Sequence, residues 1–163
     1  GKEDTLITIQ IDQMLAEKFG MEYVDKDGQK KNPYIIHRTS IGCYERTLAL
    51  LIEKYAGAFP TWLSPVQVKF LPVADRHQDY CREVMSKLQA AGVRCELDDR
   101  SEKTGFKIRS AQMEKVPYMI IVGDKDIEAN TISVRSRKNG DEGATSVDEF
   151  LSRIVTEIAT KAR

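Results

Sequence analysis

Two stretches of this sequence carry side chains in combinations that can do chemistry. The first is His37-Arg-Thr-Ser-Ile-Gly-Cys-Tyr-Glu-Arg46, which leads from an extended segment into an apolar-periodic one, so that Arg46 falls in the first turn of a helix. A guanidinium there can hold a phosphate, because its planar fork matches anionic oxygens and the helix N-terminus adds unpaired N–H groups. Gly42 would let a ligand come close to the backbone. An equally simple reading pairs Arg46 with a carboxylate such as Glu45. His37 is a possible metal ligand, although a lone histidine is more commonly an imidazole hydrogen-bonded within a core. The second stretch is residues 100–138, with nine Lys and Arg against five Asp and Glu in a chain that carries 25 of each. A local basic excess is what a nucleic-acid footprint needs, and it is also what a solvated helix face displays.

The elements that would position these groups follow from periodicity. Residues 5–12, Thr-Leu-Ile-Thr-Ile-Gln-Ile-Asp, alternate as a strand with Thr8, Gln10 and Asp12 on one face and Ile7, Ile9 and Ile11 on the other. Residues 21–25 and 30–37 flank Asp27-Gly28, a dipeptide suited to a hairpin turn, which predicts an antiparallel sheet. Tyr44, Leu48, Leu51, Ile52 and Tyr55 recur at helical spacing over residues 42–55, with Gly57 as a stop. Pro60 and Pro65 bracket Trp62 and break the pattern, which places a domain boundary at 60/61.

From Val66 the chain alternates strand and helix: strands over 66–73, 93–97 and 117–122, helices over 75–91 and 105–115. Such βαβ units make a largely parallel sheet with right-handed crossovers. Asp75 and Gln78 stand at capping-box spacing, as do Ser146 and Glu149 ahead of a terminal helix whose apolar face is Phe150, Leu151, Ile154, Val155 and Ile158. Residues 123–130 read as a turn region and 131–137 as a strand antiparallel to its predecessor. There is no internal repeat.

Composition sets the outer limits. With 163 residues, 41% apolar and 31% charged, and no low-complexity tract, the chain is of the folded globular class. No apolar run reaches the roughly 18–20 residues that span a bilayer, and no signal-peptide pattern opens the sequence, so no membrane role and a cytoplasmic location are expected. Cys43, Cys81 and Cys95 are odd in number and widely spaced, which fits neither a disulfide framework nor a C-x-x-C site.

The His37–Arg46 segment, followed by Ala56-Gly-Ala-Phe-Pro-Thr-Trp-Leu-Ser-Pro-Val-Gln-Val68, resembles motif 3 of class II aminoacyl-tRNA synthetases running into the anticodon-binding domain. The likeness is closest to the threonyl-tRNA synthetases, through the His37-Arg38 pair and the Phe59–Pro65 junction, and it extends over most of the chain. It implies an α/β fold: a three-layer anticodon-binding domain (61–163) with a mixed, largely parallel sheet and about three helices. Before it would stand an antiparallel strand-hairpin-helix remnant of the class II catalytic domain (1–60).

The function implied is part of the ATP-dependent joining of threonine to its tRNA. By resemblance Arg46 clamps ATP phosphate, Thr8 faces the nucleotide, Gln10 faces threonine, and His37 is one ligand of the zinc that recognises threonine. The other zinc ligands and motifs 1 and 2 are expected before the first residue of this sequence. The resemblance therefore implies zinc and magnesium-ATP in the complete, homodimeric enzyme, none stably bound to this chain, and no activity of this chain alone. Asp126 and Arg135 match base-reading positions for the anticodon loop of threonine tRNA, and Ser101, Lys103, Arg109 and Lys115 match positions beside it. Read without the resemblance, Asp126 is a turn residue and Arg135 a member of a strand salt bridge. A stand-alone anticodon-domain accessory protein that binds tRNA is the competing reading; it has no use for Arg46 or His37.

Overall fold

The computed structural model describes residues 5, 7–39 and 41–162. It divides into two compact units, Gly1–Glu53 and Lys54–Arg163. The expected strand over 5–12 is shorter than its alternation suggested: β1 is Ile9–Asp12, Thr8 lies just ahead of it, and Leu6 lies outside the described residues. A single helical turn, α1 (Leu15–Lys18), follows. The Asp27-Gly28 turn is present, with Gly28 at φ 76°, but it joins only the two-residue strands β2 (Tyr23–Val24) and β3 (Lys30–Lys31). Pro33, which has no N–H to give a ladder, interrupts the segment. The chain resumes as β4 (Ile35–Arg38), which pairs antiparallel with β1 rather than extending the hairpin.

Helix α2 (Tyr44–Tyr55) starts two residues later than its periodicity indicated. Its apolar stripe is not buried: no residue of α2 is, and Ile9, Ile11 and Ile36 on the β1–β4 pair are each about two-thirds exposed. Among the described residues up to Glu53, only Ala16 is buried.

The second unit holds the core. Its sheet runs β6–β5–β7–β8–β9, built from β5 (Val68–Pro72), β6 (Cys95–Leu97), β7 (Tyr118–Val122), β8 (Thr131–Ser136) and β9 (Gly140–Ser146). The β6–β5–β7 part is parallel and β7–β8–β9 antiparallel, so the sheet is mixed in equal halves. The antiparallel half is larger than the sequence reading allowed, because β9 was not anticipated.

On one face, Val68, Phe70, Ile120, Val122, Ile132 and Val134 pack against α3 (Gln78–Ala90) and α6 (Val147–Ala159). On the other, Leu71 and Met119 pack against Ala111 of α4 (Thr104–Met113). That is the expected three-layer α/β arrangement. Each fully buried side chain of this size is worth about 1.5–3 kcal/mol, so the cohesion of the chain resides here.

Three local expectations need correction. The stretch 123–130 is not a bare turn but contains α5 (Asp124–Ala129), which ends on Asn130 in the left-handed region. The Asp75/Gln78 box is replaced by a 3-10 turn, Asp75–His77, in which His77 Nδ1 accepts from the Ala74 N–H at 3.1 Å. On α6, Val155 points to solvent while Val147 is buried. The Ser146 cap is present, its Oγ accepting from Glu149 N at 3.2 Å.

Candidate nucleic-acid interface

In the first unit, the β1–β4 register places His37 opposite Gln10, so both lie on the polar face of the pair. Asp12 Oδ1 accepts from the N–H groups of Met14 and Leu15 at 2.8 and 2.9 Å, and His37 Nε2 stands 3.5 Å from Asp12 Oδ2. The two backbone N–H groups hold the Asp12 carboxyl below its usual range. Gln10, Asp12 and His37 line an open cavity of about 600 Å³ with Ile11, Met14 and Leu15.

Arg46, in the first turn of α2, donates from Nη1 to Thr5 O at 2.5 Å. Glu45, the carboxylate offered by sequence as its partner, accepts instead from Cys43 Sγ at 2.9 Å. His37 is half exposed rather than a core imidazole. A catalytic zinc site takes three protein ligands with nitrogen, sulfur or oxygen donors. Among the described residues no group of three His, Cys, Asp or Glu side chains is gathered for a metal, so His37 and Asp12 do not make such a site between them.

In the second unit, the loops that follow β5, β6 and β7 meet at the carboxyl edge of the parallel strands, the edge at which α/β sheets generally bind ligands. Asp126 sits there, 9% exposed, in the first turn of α5. Its Oδ2 accepts from Gly123 N at 2.9 Å and its Oδ1 from Ser133 Oγ at 2.7 Å. The carboxylate thus caps α5 and ties it to β8.

Arg135 lies two residues beyond Ser133 and so on the same face of β8, about 7 Å along the strand. Its cross-strand partner in β7 is Met119. On this face Ala111 of α4 packs with Leu71 of β5 and Met119 of β7, the β8 residues Thr131, Ser133 and Arg135 are half-buried, and a cavity of about 270 Å³ beside them is lined by Gln112, Val116, Met119, Ser136, Arg137 and Gly140. The Nε of Arg135 is buried and has no hydrogen-bond partner. Buried donors of that kind are rare and call for an explanation.

Ser101, Lys103 and Arg109 are exposed on the loop ahead of α4 and on that helix. Lys115 is engaged elsewhere. It has φ 59°, its Nζ donates to Ala56 O, and its carbonyl accepts from Arg137 Nη1 at 2.5 Å. Arg137 also donates to Phe59 O at 2.6 Å, so this pair of cations fastens the segment at 56–59.

The sequence reading missed several groups that hold the edge together. Asp124 takes a fork from Arg76 (2.9 and 2.6 Å) and a bond from the buried His77 at 2.9 Å, which joins the start of α3 to the start of α5. Arg76 and then His77 hold the Asp124 carboxyl far below its usual range. Asp98, 4% exposed, is held low chiefly by Arg100. Both folded values lie below the unfolded one of about 3.9, so their contribution is complete above that pH and is lost as pH falls through the folded values. The urea midpoint is therefore expected to fall below about pH 4, and to fall somewhat less in Asp124→Asn, because this ion pair is largely exposed and screened by solvent. Parallel curves for the two proteins would show that Asp124 contributes nothing.

Comparisons with known proteins bear on both units. The family model described as "Anticodon binding domain" matches residues 67–157, and the one described as "tRNA synthetase class II core domain (G, H, P, S and T)" matches residues 1–55. A threonine–tRNA ligase of Clostridium botulinum (strain Eklund 17B) is 63% identical over 163 residues, all of this chain and 25% of that protein. One from Caldanaerobacter subterraneus is 52% identical over 155 residues, 95% of this chain and 24% of the relative. The chain thus spans about a quarter of the length of these curated relatives.

Among solved structures, the RNA-binding domain of threonyl-tRNA synthetase from Cryptosporidium parvum superposes with a TM-score of 0.74 at 28% identity, covering 93% of this chain and 38% of that one. With more than half of its length matched by the first model, the chain belongs to the anticodon binding domain family, joined to a piece of class II synthetase core as in its threonine–tRNA ligase homologues.

Proposed function

We propose that this chain supplies anticodon reading to a threonine–tRNA ligase, with its domain boundary at 60/61 and its RNA face formed by the carboxyl edge and the Ser133–Arg135 side of β8. The observation that carries the reading is Arg135, half-buried on β8 with a buried Nε that has no hydrogen-bond partner, in a domain of the anticodon-binding family. A guanidinium can fork onto the O6 and N7 acceptors of guanine, and unpaired loop bases expose such edges. Asp126 holds the neighbouring Ser133 and gives β8 its orientation, leaving second lone pairs on its oxygens for an exocyclic amine. Lys103 and Arg109 take phosphates, and Ser101 stands beside them. Lys115, tied to Ala56, is left out of the interface.

The same proposal gives the first unit its role. Arg46 would hold ATP phosphate, Thr8 and Gln10 would face nucleotide and threonine, and His37 would be one ligand of a zinc site completed by other residues of the ligase. This division implies a whole ligase, acting in the cytoplasm as a homodimer, in which this chain alone lacks the catalytic constellation.

The test is binding of the anticodon stem-loop of threonine tRNA against a scrambled-loop control. Arg135→Ala is expected to weaken binding about tenfold, a typical cost for a lost base contact. Arg109→Ala is expected to lower the salt dependence by about one unit of slope. Equal affinity for both loops would sink the proposal.

A further inference from the structure

The loop ahead of α4 and the first turns of that helix carry an exposed surface on which Arg100 is paired with Asp98. Arg100 forks onto Asp98, with Nε to Oδ1 at 2.8 Å and Nη2 to Oδ2 at 2.6 Å. Nη2 also lies 3.3 Å from Ser110 Oγ. Because Asp98 is itself buried, the guanidinium is held in place from below while about half of it faces solvent. In that position it sits 5.7 Å from the ring centroid of Phe106.

Phe106 belongs to no core cluster. The buried residues of α4 are Lys107 and Ala111, whereas Phe106 is 52% exposed and Met113, two turns on along the same side, is 78% exposed. Arg109 and Ser110, at three- and four-residue steps from Phe106, share that side.

We propose that Phe106 and Arg100 form a stacking platform for one unpaired base of the RNA loop, a deepening that rests on the anticodon-reading proposal. The fit is chemical. An aromatic ring and a guanidinium plane are the two side-chain surfaces on which single-stranded bases stack. Asp98 cancels the charge of Arg100, so the platform offers a flat face without competing for phosphate. The exposed cations Lys103 and Arg109 lie on either side of Phe106 in the sequence and meet the phosphates flanking a stacked base. The apolar area is the size of one ring plus Met113, which matches a base and is far below the roughly 800 Å² per partner of a stable protein interface.

The experiment uses the full chain and the threonine-tRNA anticodon stem-loop carrying 2-aminopurine at each loop position in turn. One position is expected to be quenched on binding, and that quench should disappear in Phe106→Ala. Phe106→Ala should weaken binding about tenfold, the usual effect of removing a base-stacking aromatic. Its salt slope should be unchanged, whereas Arg109→Ala lowers it.

Phe106→Leu keeps apolar bulk without planarity and is expected to bind as poorly as Phe106→Ala, while Phe106→Trp binds within about twofold of the parent. Since the ring lies outside the core, all three should melt with the parent protein. Parent-like binding by Phe106→Ala or Phe106→Leu, while Arg135→Ala is impaired, would overturn the platform and leave anticodon reading intact. A fall in salt slope for Phe106→Ala would also overturn it, by assigning the loss to charge. No preference of the parent protein for the loop over its scrambled control would instead be a failure of anticodon reading itself.

Discussion

Replacing Lys107 by Met is expected to destabilise the second unit by about 3 kcal/mol, with a fall in melting temperature on the order of 10 °C. Lys107 is 3% exposed, and its Nζ donates to Pro72 O at 3.2 Å and to Asp98 O at 3.1 Å. Pro72 ends β5 and Asp98 follows β6, so one ammonium stitches the carboxyl ends of two parallel neighbours. It also stands close enough to Asp98 to help hold that carboxyl low.

Methionine fills much the same volume, so packing is conserved and the loss is electrostatic. Two buried carbonyls lose a charged donor and a buried carboxylate loses part of its compensation, and leaving such groups behind costs more than the net worth of the bonds. Trp62 is the chain's single tryptophan and lies in this unit, so its fluorescence reports the transition directly in urea. A change within about 0.5 kcal/mol, the range of a neutral surface substitution, would show that the stitch is dispensable. The variant should also loosen the loop at 98–103, which carries Ser101 and Lys103, so RNA affinity is expected to fall with stability.

How much of this could be read from the chain differs between the two units. The run from β5 to β7 was legible because buried parallel strands read as apolar blocks and their crossover helices as periodic ones. Val68 and Phe70 in β5 and Val84 and Leu88 in α3 end where that pattern sends them. The Ser146 cap was legible because it is local chemistry. The strand β9 was not, since Gly140-Asp-Glu-Gly-Ala-Thr-Ser146 contains almost no strand-forming residue and owes its conformation to pairing with β8. Nor was α5, whose six residues are too few for a periodicity and whose start is made by a carboxylate reaching back to Gly123.

For the sites, the limits are of another kind. Alternation along β8 puts Arg135 on the face opposite Ile132 and Val134, but that its Nε is buried there without a hydrogen-bond partner is a fact of packing rather than of pattern. The stacking surface was invisible for the same reason. Phe106 reads as a core residue in any hydropathy count, and only the fold shows that it lies outside the core. In the first unit, the stripe of Tyr44, Leu48, Leu51 and Ile52 was read correctly as helical, yet no residue of α2 is buried. Periodicity identifies which face is apolar and says nothing of what covers it.

Replacing Asp126 by Ala and by Asn is expected to separate its two roles. Asp126→Ala removes the acceptor for Gly123 N–H and for Ser133 Oγ at a position 9% exposed, and should cost about 2 kcal/mol through an uncapped α5 and an unpaired buried donor. Loop affinity should fall more than tenfold with it, because Ser133 and Arg135 share the face that Asp126 steadies. Asp126→Asn keeps one carbonyl oxygen for Gly123 N–H, and the Ser133 hydroxyl can rotate to accept from the new amide, so stability should stay within about 1 kcal/mol of the parent. What asparagine loses is the charge and the second acceptor. If the carboxylate receives an exocyclic amine from the RNA, Asp126→Asn weakens binding of the native loop severalfold while its urea curve is nearly unmoved. If it binds as the parent does, the carboxylate serves only to cap α5 and hold β8, and base reading in this chain falls to Arg135.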